Sequence, residues 1–422
     1  MARSSGNDTT YLLVPIALFA MLLATAGIRS PHLLSMSGIG SAIIVAAPLV
    51  FATYALMATA ISGRGTTDLA VGPLVAFINV SIVKLNGAEI ITGPLAVFAL
   101  AFAIGIVYQV LFALIVIYVR VQPIIVSLSG FLALTGINLV ILPRPGGIAP
   151  EWMYSWGLGE SPFSPVALLL VVATCLWLVF ERTTFASNLR RMGYDERAAY
   201  TSGVRIFALR IGAHILSGIF AALGAICYTA LISSADPTQG TTLTLTAVTA
   251  LVLGGVSLVG GRGSIIGALL GALNLFLIGY VLATFNFGSI QAYVTQFFYG
   301  LILVLSLLLT LLVPIIGRYL TFISPYSAFV VLGSVVGGIL LHVYYSATFD
   351  PAVPPADIAE IADRTFRGIA HRYLELPFDP GAASLAPDDT GFALTPFQIS
   401  VFGAAAMLLL MTVALRIGVT ES

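Results

Sequence analysis

Residues 251–271 read LVLGGVSLVGGRGSIIGALLG, seven glycines and one arginine set between apolar runs. Glycine weakens a helix and arginine resists burial in lipid, so the stretch is not the middle of an ordinary membrane span. Yet the chain around it is intensely apolar: of 422 residues, 59% are hydrophobic and 9% charged, where a soluble domain carries about 25% charged residues. The composition makes this a polytopic membrane protein, an all-α bundle of transmembrane helices. In that setting the glycine run reads as a turn between two helices. Gly260, Gly261, Arg262 and Gly263 form a tight, re-entrant break, and Gly267 and Gly271, at G-x-x-x-G spacing, permit close helix approach.

Working outward, a span of about 20 apolar residues fits twelve windows: 11–28, 40–61, 69–84, 95–118, 124–142, 165–180, 206–231, 242–259, 264–284, 290–313, 326–346 and 398–417. The first follows a short polar start and lacks a small-residue cleavage site, so it is expected to be a retained helix. Ten spans make a core over residues 1–316, and two more belong to an extension over 317–422. Placing both termini in the cytoplasm puts twelve of the eighteen basic residues on that side and twelve of the eighteen acidic residues on the other, the bias expected for cytoplasmic termini. Two loops stand out. The inner loop 181–210 carries six arginines, and the outer loop 347–397 carries eight acidic residues against three arginines. Within the latter, Ile358, Ile361, Ala362, Phe366, Ile369 and Tyr373 are spaced as one face of an amphipathic helix.

Several chemistries are excluded. Lys84 is the only lysine, so a GxxxxGK[ST] phosphate loop cannot be formed and the chain is not itself a P-loop ATPase. His32, His214, His342 and His371 are scattered without ligand spacing, which argues for polar packing and against a metal site. GRGSIIG has the wrong glycine spacing for a dinucleotide loop. Cys175 and Cys227 lie in apolar runs and read as packed core thiols. With a formal net charge of zero, nothing suggests nucleic acid as a partner. No enzyme is expected; the chain moves or anchors something.

The inner loop, ERTTFASNLRRMGYDERAAYTSGVRIFALR, contains good helix formers through NLRRMGYDERAAY, ended by a Ser-Gly pair. That is the pattern of a helix lying along the membrane, or of a solvated basic loop. With AAYTSGV in this loop, TTDLAVGPLVAF and VQPIIVSLSGFLALTGINLV upstream, and LSGIFAALGAICYTALISSADPTQG and GGVSLVGGRGSIIGALLGAL downstream, residues 10–315 closely resemble the permease subunits of bacterial ABC importers of the ribose and simple-sugar type. The wider superfamily includes branched-chain amino-acid, nucleoside and autoinducer permeases.

The resemblance implies an inner-membrane importer of two permease subunits, the second the same or related, with two cytoplasmic ATPases that hold ATP and magnesium and an external solute-binding protein. This chain itself would hold no cofactor. Arg190, Arg191, Gly193, Asp195, Glu196, Ala198, Ala199 and Gly203 would lie at or near the surface that couples to the ATPase. Two departures bear on the solute: Thr66 and Thr67 stand where glycine and isoleucine residues usually precede the family's DLSVG segment, and MGYDERAA lacks the common asparagine.

Candidates for a solute path are Asp68, at the mouth of the third span, and the neutral polar residues Asn79, Gln109, Asn138, Asn274 and Gln296. The favoured reading of Asp68 is a helix cap, and each amide serves at least as well in interhelical hydrogen bonding. A monosaccharide or polyol is the expected solute. Amino-acid or nucleoside transport within the superfamily, a secondary transporter and a membrane scaffold are the alternatives. A short echo links ATAISGRGTTDLAVGPLVAF with TALVLGGVSLVGGRGSIIGALLGAL.

Overall fold

The computed structural model describes residues 12–63, 66–159, 163–285 and 295–301. The expected last two spans, the outer loop 347–397 and its amphipathic helix lie outside these residues. The described residues are helical, with one isolated bridge between Gly146 and Ala235. The helices are α1 (Leu13–Arg29), α2 (Met36–Ala60), α3 (Val71–Gly87), α4 (Pro94–Leu114), α5 (Pro123–Ile141), α6 (Glu151–Gly157), α7 (Pro165–Phe180), α8 (Thr184–Tyr194), α9 (Glu196–Thr201), α10 (Ile206–Ile232), α11 (Gln239–Leu253) and α12 (Ile265–Ala283). Residues 295–301 are helical within the expected tenth span.

Each expected span from 11–28 to 264–284 therefore contains a helix, but lengths differ. α2, α4 with its π-helical continuation Ile115–Val119, α5, α10 and α12 are each long and apolar enough to cross a membrane, with α7 and α8 making a sixth such span if that bent pair is counted as one. The helix Pro15–Arg29 within α1, together with α3 and α11, is shorter. The eighth span ends at Leu253 rather than at residue 259, because Gly254 and Gly255 turn the chain there, Gly255 at φ +74°. Such a conformation suits a residue without Cβ.

The centre is α2 and α10, whose apolar windows are 67% and 72% buried, whereas that of α5 is 17% buried. Small residues allow this packing. A Cβ on Gly105 of α4 would strike the Gly218 carbonyl of α10, and one on Gly218 would strike Gly105 in return, so the two backbones touch. At one end of the bundle lie the C-termini of α2, α4, α7 and α11 and the starts of α5, α10 and α12. At that end α8 leaves α7 at a bend of 77°.

The inner-loop helix is two helices, not one. Asp195 takes extended backbone (φ −151°, ψ 101°) and its Oδ1 accepts from the Ala198 N–H at 3.0 Å, starting α9 afresh. Gly203, at φ +81°, follows the end of α9. A second correction concerns the cysteines: Cys227 is buried, but Cys175 on α7 is exposed, on a helix whose outward surface is as apolar as its inward one.

Candidate coupling and transport site

Three segments far apart in sequence meet as bare backbone at the α8 end of the bundle. The turn after α2 brings Gly63 at φ +81°, and the turn before α12 brings Gly260 and Gly261 at φ +115° and +73°. The Gly261 N–H donates to the Ile61 carbonyl at 3.1 Å. Gly193, near the end of α8, sits between them: a Cβ there would strike the Ile61 carbonyl oxygen and Gly261. A Cβ on Gly260 would strike Gly63. Gly63 and Gly261 each open a GRG in the echoed segments of the sequence, and the glycine of MGYD is wedged against both.

Side chains fasten this junction. The Arg190 guanidinium pairs with Glu181 at 2.7 Å and donates to the Gly263 carbonyl at 3.4 Å. The Trp177 indole N–H donates to the same Glu181 oxygen at 3.1 Å. Arg262 Nε donates to the Tyr194 hydroxyl at 3.3 Å and its guanidinium lies 5.8 Å from that ring's centre. Ser264 Oγ accepts from the Gly267 N–H at 3.1 Å and starts α12. Gly267 then packs on the Gly254 carbonyl and Gly271 on the Ala250 carbonyl of α11, as a G-x-x-x-G pair does.

Of the other coupling candidates, Arg191, Asp195 and Ala198 are exposed and Ala199 is buried. Together with Gly203 they line an open groove of about 720 Å³ between α8, α9 and the start of α10. Glu196 is half-buried and pairs with Arg210 of α10 at 2.9 Å.

Deeper in the bundle lies a polar chain. Asp68 is fully buried and does more than cap α3. Its Oδ1 accepts from the Ala70 N–H at 2.9 Å and from Ser127 of α5 at 3.2 Å, and its Oδ2 accepts from the Gln109 amide of α4 at 2.7 Å. Gln109 Oε1 meets His214 Nδ1 of α10 at 2.7 Å. The break before α3 is satisfied from its neighbours. Leu69 N–H donates to Ser127 Oγ at 2.6 Å, while Thr244 of α11 donates to the Leu69 carbonyl at 3.0 Å and accepts from Gly72 N–H at 3.1 Å.

The structure does not gather the remaining path candidates here. Asn79 donates to Thr229 and to the Ser234 carbonyl, both at 2.9 Å, and accepts from Asp236 N–H at 3.0 Å, so it is fully engaged in joining α3 to the end of α10. Asn138 donates to the Pro73 carbonyl at 3.0 Å and Asn274 to the Pro15 carbonyl at 2.9 Å. Gln296 is exposed. The residues that sequence reading missed are Glu181, Ser127, Thr244, Arg210 and His214 as network members, and Gly63 as the partner of Gly193. The repeated GRG was the available signal for the last.

Residues 33–307 match the family model described as the branched-chain amino acid transport system / permease component. The chain belongs to this family. Among curated relatives, the ribose import permease protein of Escherichia coli strain K12 is 29% identical over 296 residues, covering 68% of this chain and 90% of that one. A probable ABC transporter permease protein of the same strain is 30% identical over 303 residues, covering 70% and 88%. The autoinducer 2 import system permease protein of Photorhabdus temperata is 27% identical over 237 residues, covering 54% and 69%. No solved structure matches. The chain is thus a membrane-embedded permease of the ABC import type, and its relatives are transport subunits rather than enzymes.

Proposed function

We propose that this permease carries a monosaccharide or polyol inward across a bacterial inner membrane, driven by ATP hydrolysed with magnesium on two partner ATPases and supplied by an external binding protein. A second permease subunit completes the pathway. Both termini and the α8–α9 end face the cytoplasm, where the groove lined by Arg191, Asp195 and Ala198 receives the ATPase.

The observation that carries the reading is the seat of Gly193. Because it touches the turn that ends α2 and the turn that precedes α12 with no side chain between, displacement of α8 is passed directly to those two helices. A loosely tethered loop could not do this. The relative named for ribose import supports this solute class. Branched-chain amino acids are the second reading, favoured by the family's own description.

The test is co-expression with the ATPase and binding protein encoded beside this chain, followed by uptake in proteoliposomes. Sugar uptake that requires internal ATP supports the proposal. Uptake driven by an ion gradient without ATP overturns it, and ligand binding by the binding protein decides between sugar and amino acid.

A further inference from the structure

Seven buried side-chain polar atoms lack a hydrogen-bond partner among the described residues, and five of them belong to Thr67, Tyr108, Arg210, His214 and Ser217. Buried polar groups are normally satisfied, so such a concentration asks for a reason. Three of the five, on Arg210, His214 and Ser217, are spaced four and three residues apart on α10 and so form one stripe along the helix. Each has a polar atom left over: Arg210 Nε, His214 Nε2 and Ser217 Oγ.

The upper end of that stripe is tied to the α8–α9 element by the Arg210–Glu196 pair. One turn further on, His214 is tied through Gln109 to Asp68 at the start of α3. Just beyond Ser217, α10 crosses α4 at the Gly218–Gly105 backbone contact. A crossing without side chains opposes rotation or sliding less than interdigitated ridges do.

We propose that Arg210, His214 and Gln109 are positioning residues of the transport reaction: they hand movement of the α8–α9 element to Asp68 and the start of α3, with α10 turning or sliding at the Gly105–Gly218 crossing. The unpaired atoms along α10 are the donors and acceptors that the second arrangement engages. A network with one set of partners in each of two arrangements gives a two-state element, as coupling across a bundle requires. Removing Glu196 from the pair takes that carboxylate away from the buried Arg210 guanidinium and loosens α10 from α9. The inference rests on the reading of α8–α9 as the ATPase-docking element.

The experiment uses the full chain in complex with its ATPase, with Cys175→Ala, Cys227→Ala, Lys84→Cys and Phe163→Cys, the last two exposed and spin-labelled. MgATP with vanadate is the probe, and the distance between the labels is the readout. A shift on the order of 1–5 Å is expected. In Glu196→Arg and in Arg210→Glu the shift is lost, and the double reversal regains it. Arg210→Lys keeps the shift, and Gln109→Leu, which removes no charge, loses it.

A shift that survives both single reversals, or that the double reversal fails to restore, overturns the relay, as does an unshifted parent complex. Failure of the ATPase to co-purify with the unlabelled chain, seen before any nucleotide is added, sinks the docking reading instead.

Discussion

Gly193 tests the junction at the scale of one residue. Alanine there must displace the Ile61 carbonyl or the backbone of Gly261, and overpacking of this kind costs ~1–3 kcal/mol. We expect Gly193→Ala to lower the melting temperature in detergent and to reduce ATP-driven uptake strongly. Gly87→Ala is the control: nothing lies within 4 Å of a Cβ at that exposed helix end, so its stability should stay within about 0.5 kcal/mol of the parent. Asn79 makes the opposite kind of prediction. It is enclosed in three hydrogen bonds, so Asn79→Ala should destabilise by ~1–3 kcal/mol while leaving solute selectivity unchanged in competition uptake. Altered selectivity would return Asn79 to the solute path. Sequence left it open between the solute path and an interhelical hydrogen bond, because an amide in an apolar run looks the same whether it greets a solute or a neighbouring helix. Its partners, Thr229, Ser234 and Asp236, are about 150 positions away.

At the scale of elements, the helices and the GGRG turn were legible because apolar run length and glycine clustering are local properties. The two-helix nature of α8–α9 was legible in principle: an aspartate followed at once by ERAA is a helix start, and Asp195→Ala should remove about 1 kcal/mol of capping. The expected readout is loss of helicity by hydrogen exchange confined to residues 196–201, with α8 unaffected. What sequence could not supply is the outward face of α7. In water an apolar residue declares itself buried, but lipid is as apolar as leucine, so a run such as LLLVVATCLWLVF does not say which side meets protein. Cys175 was misplaced for that reason, while Cys227, on the small-residue face of α10, was not. The meeting of Gly63, Gly193 and Gly260 was only hinted at by the repeated GRG, since each glycine reads alone as a turn or helix breaker. Only folding shows that their lack of Cβ serves one contact.

For the molecule as a whole, the arrangement predicts its own orientation. The end that gathers α8, α9, Gly63 and the turn before α12 also gathers Arg182, Arg190, Arg191, Arg197, Arg205 and Arg262, whereas the loop after α3, at the opposite end, carries Glu89 with Lys84 shortly before it. By the charge bias of membrane insertion, we propose that the arginine-rich end faces the cytoplasm. In a Cys175→Ala, Cys227→Ala background, a cysteine at the exposed Ser202 should therefore react with a membrane-impermeant thiol reagent in inverted vesicles and not in intact cells whose outer membrane has been made permeable. A cysteine at the exposed Glu89 should do the reverse. The parent chain provides an internal check: Cys175, facing outward from an apolar helix, should resist a charged reagent from both sides yet react with a lipid-soluble one. Reaction at Ser202 from outside would invert the molecule. It would place the groove and the Gly193 junction beyond the reach of any cytoplasmic ATPase, and the transport reading would fall with them.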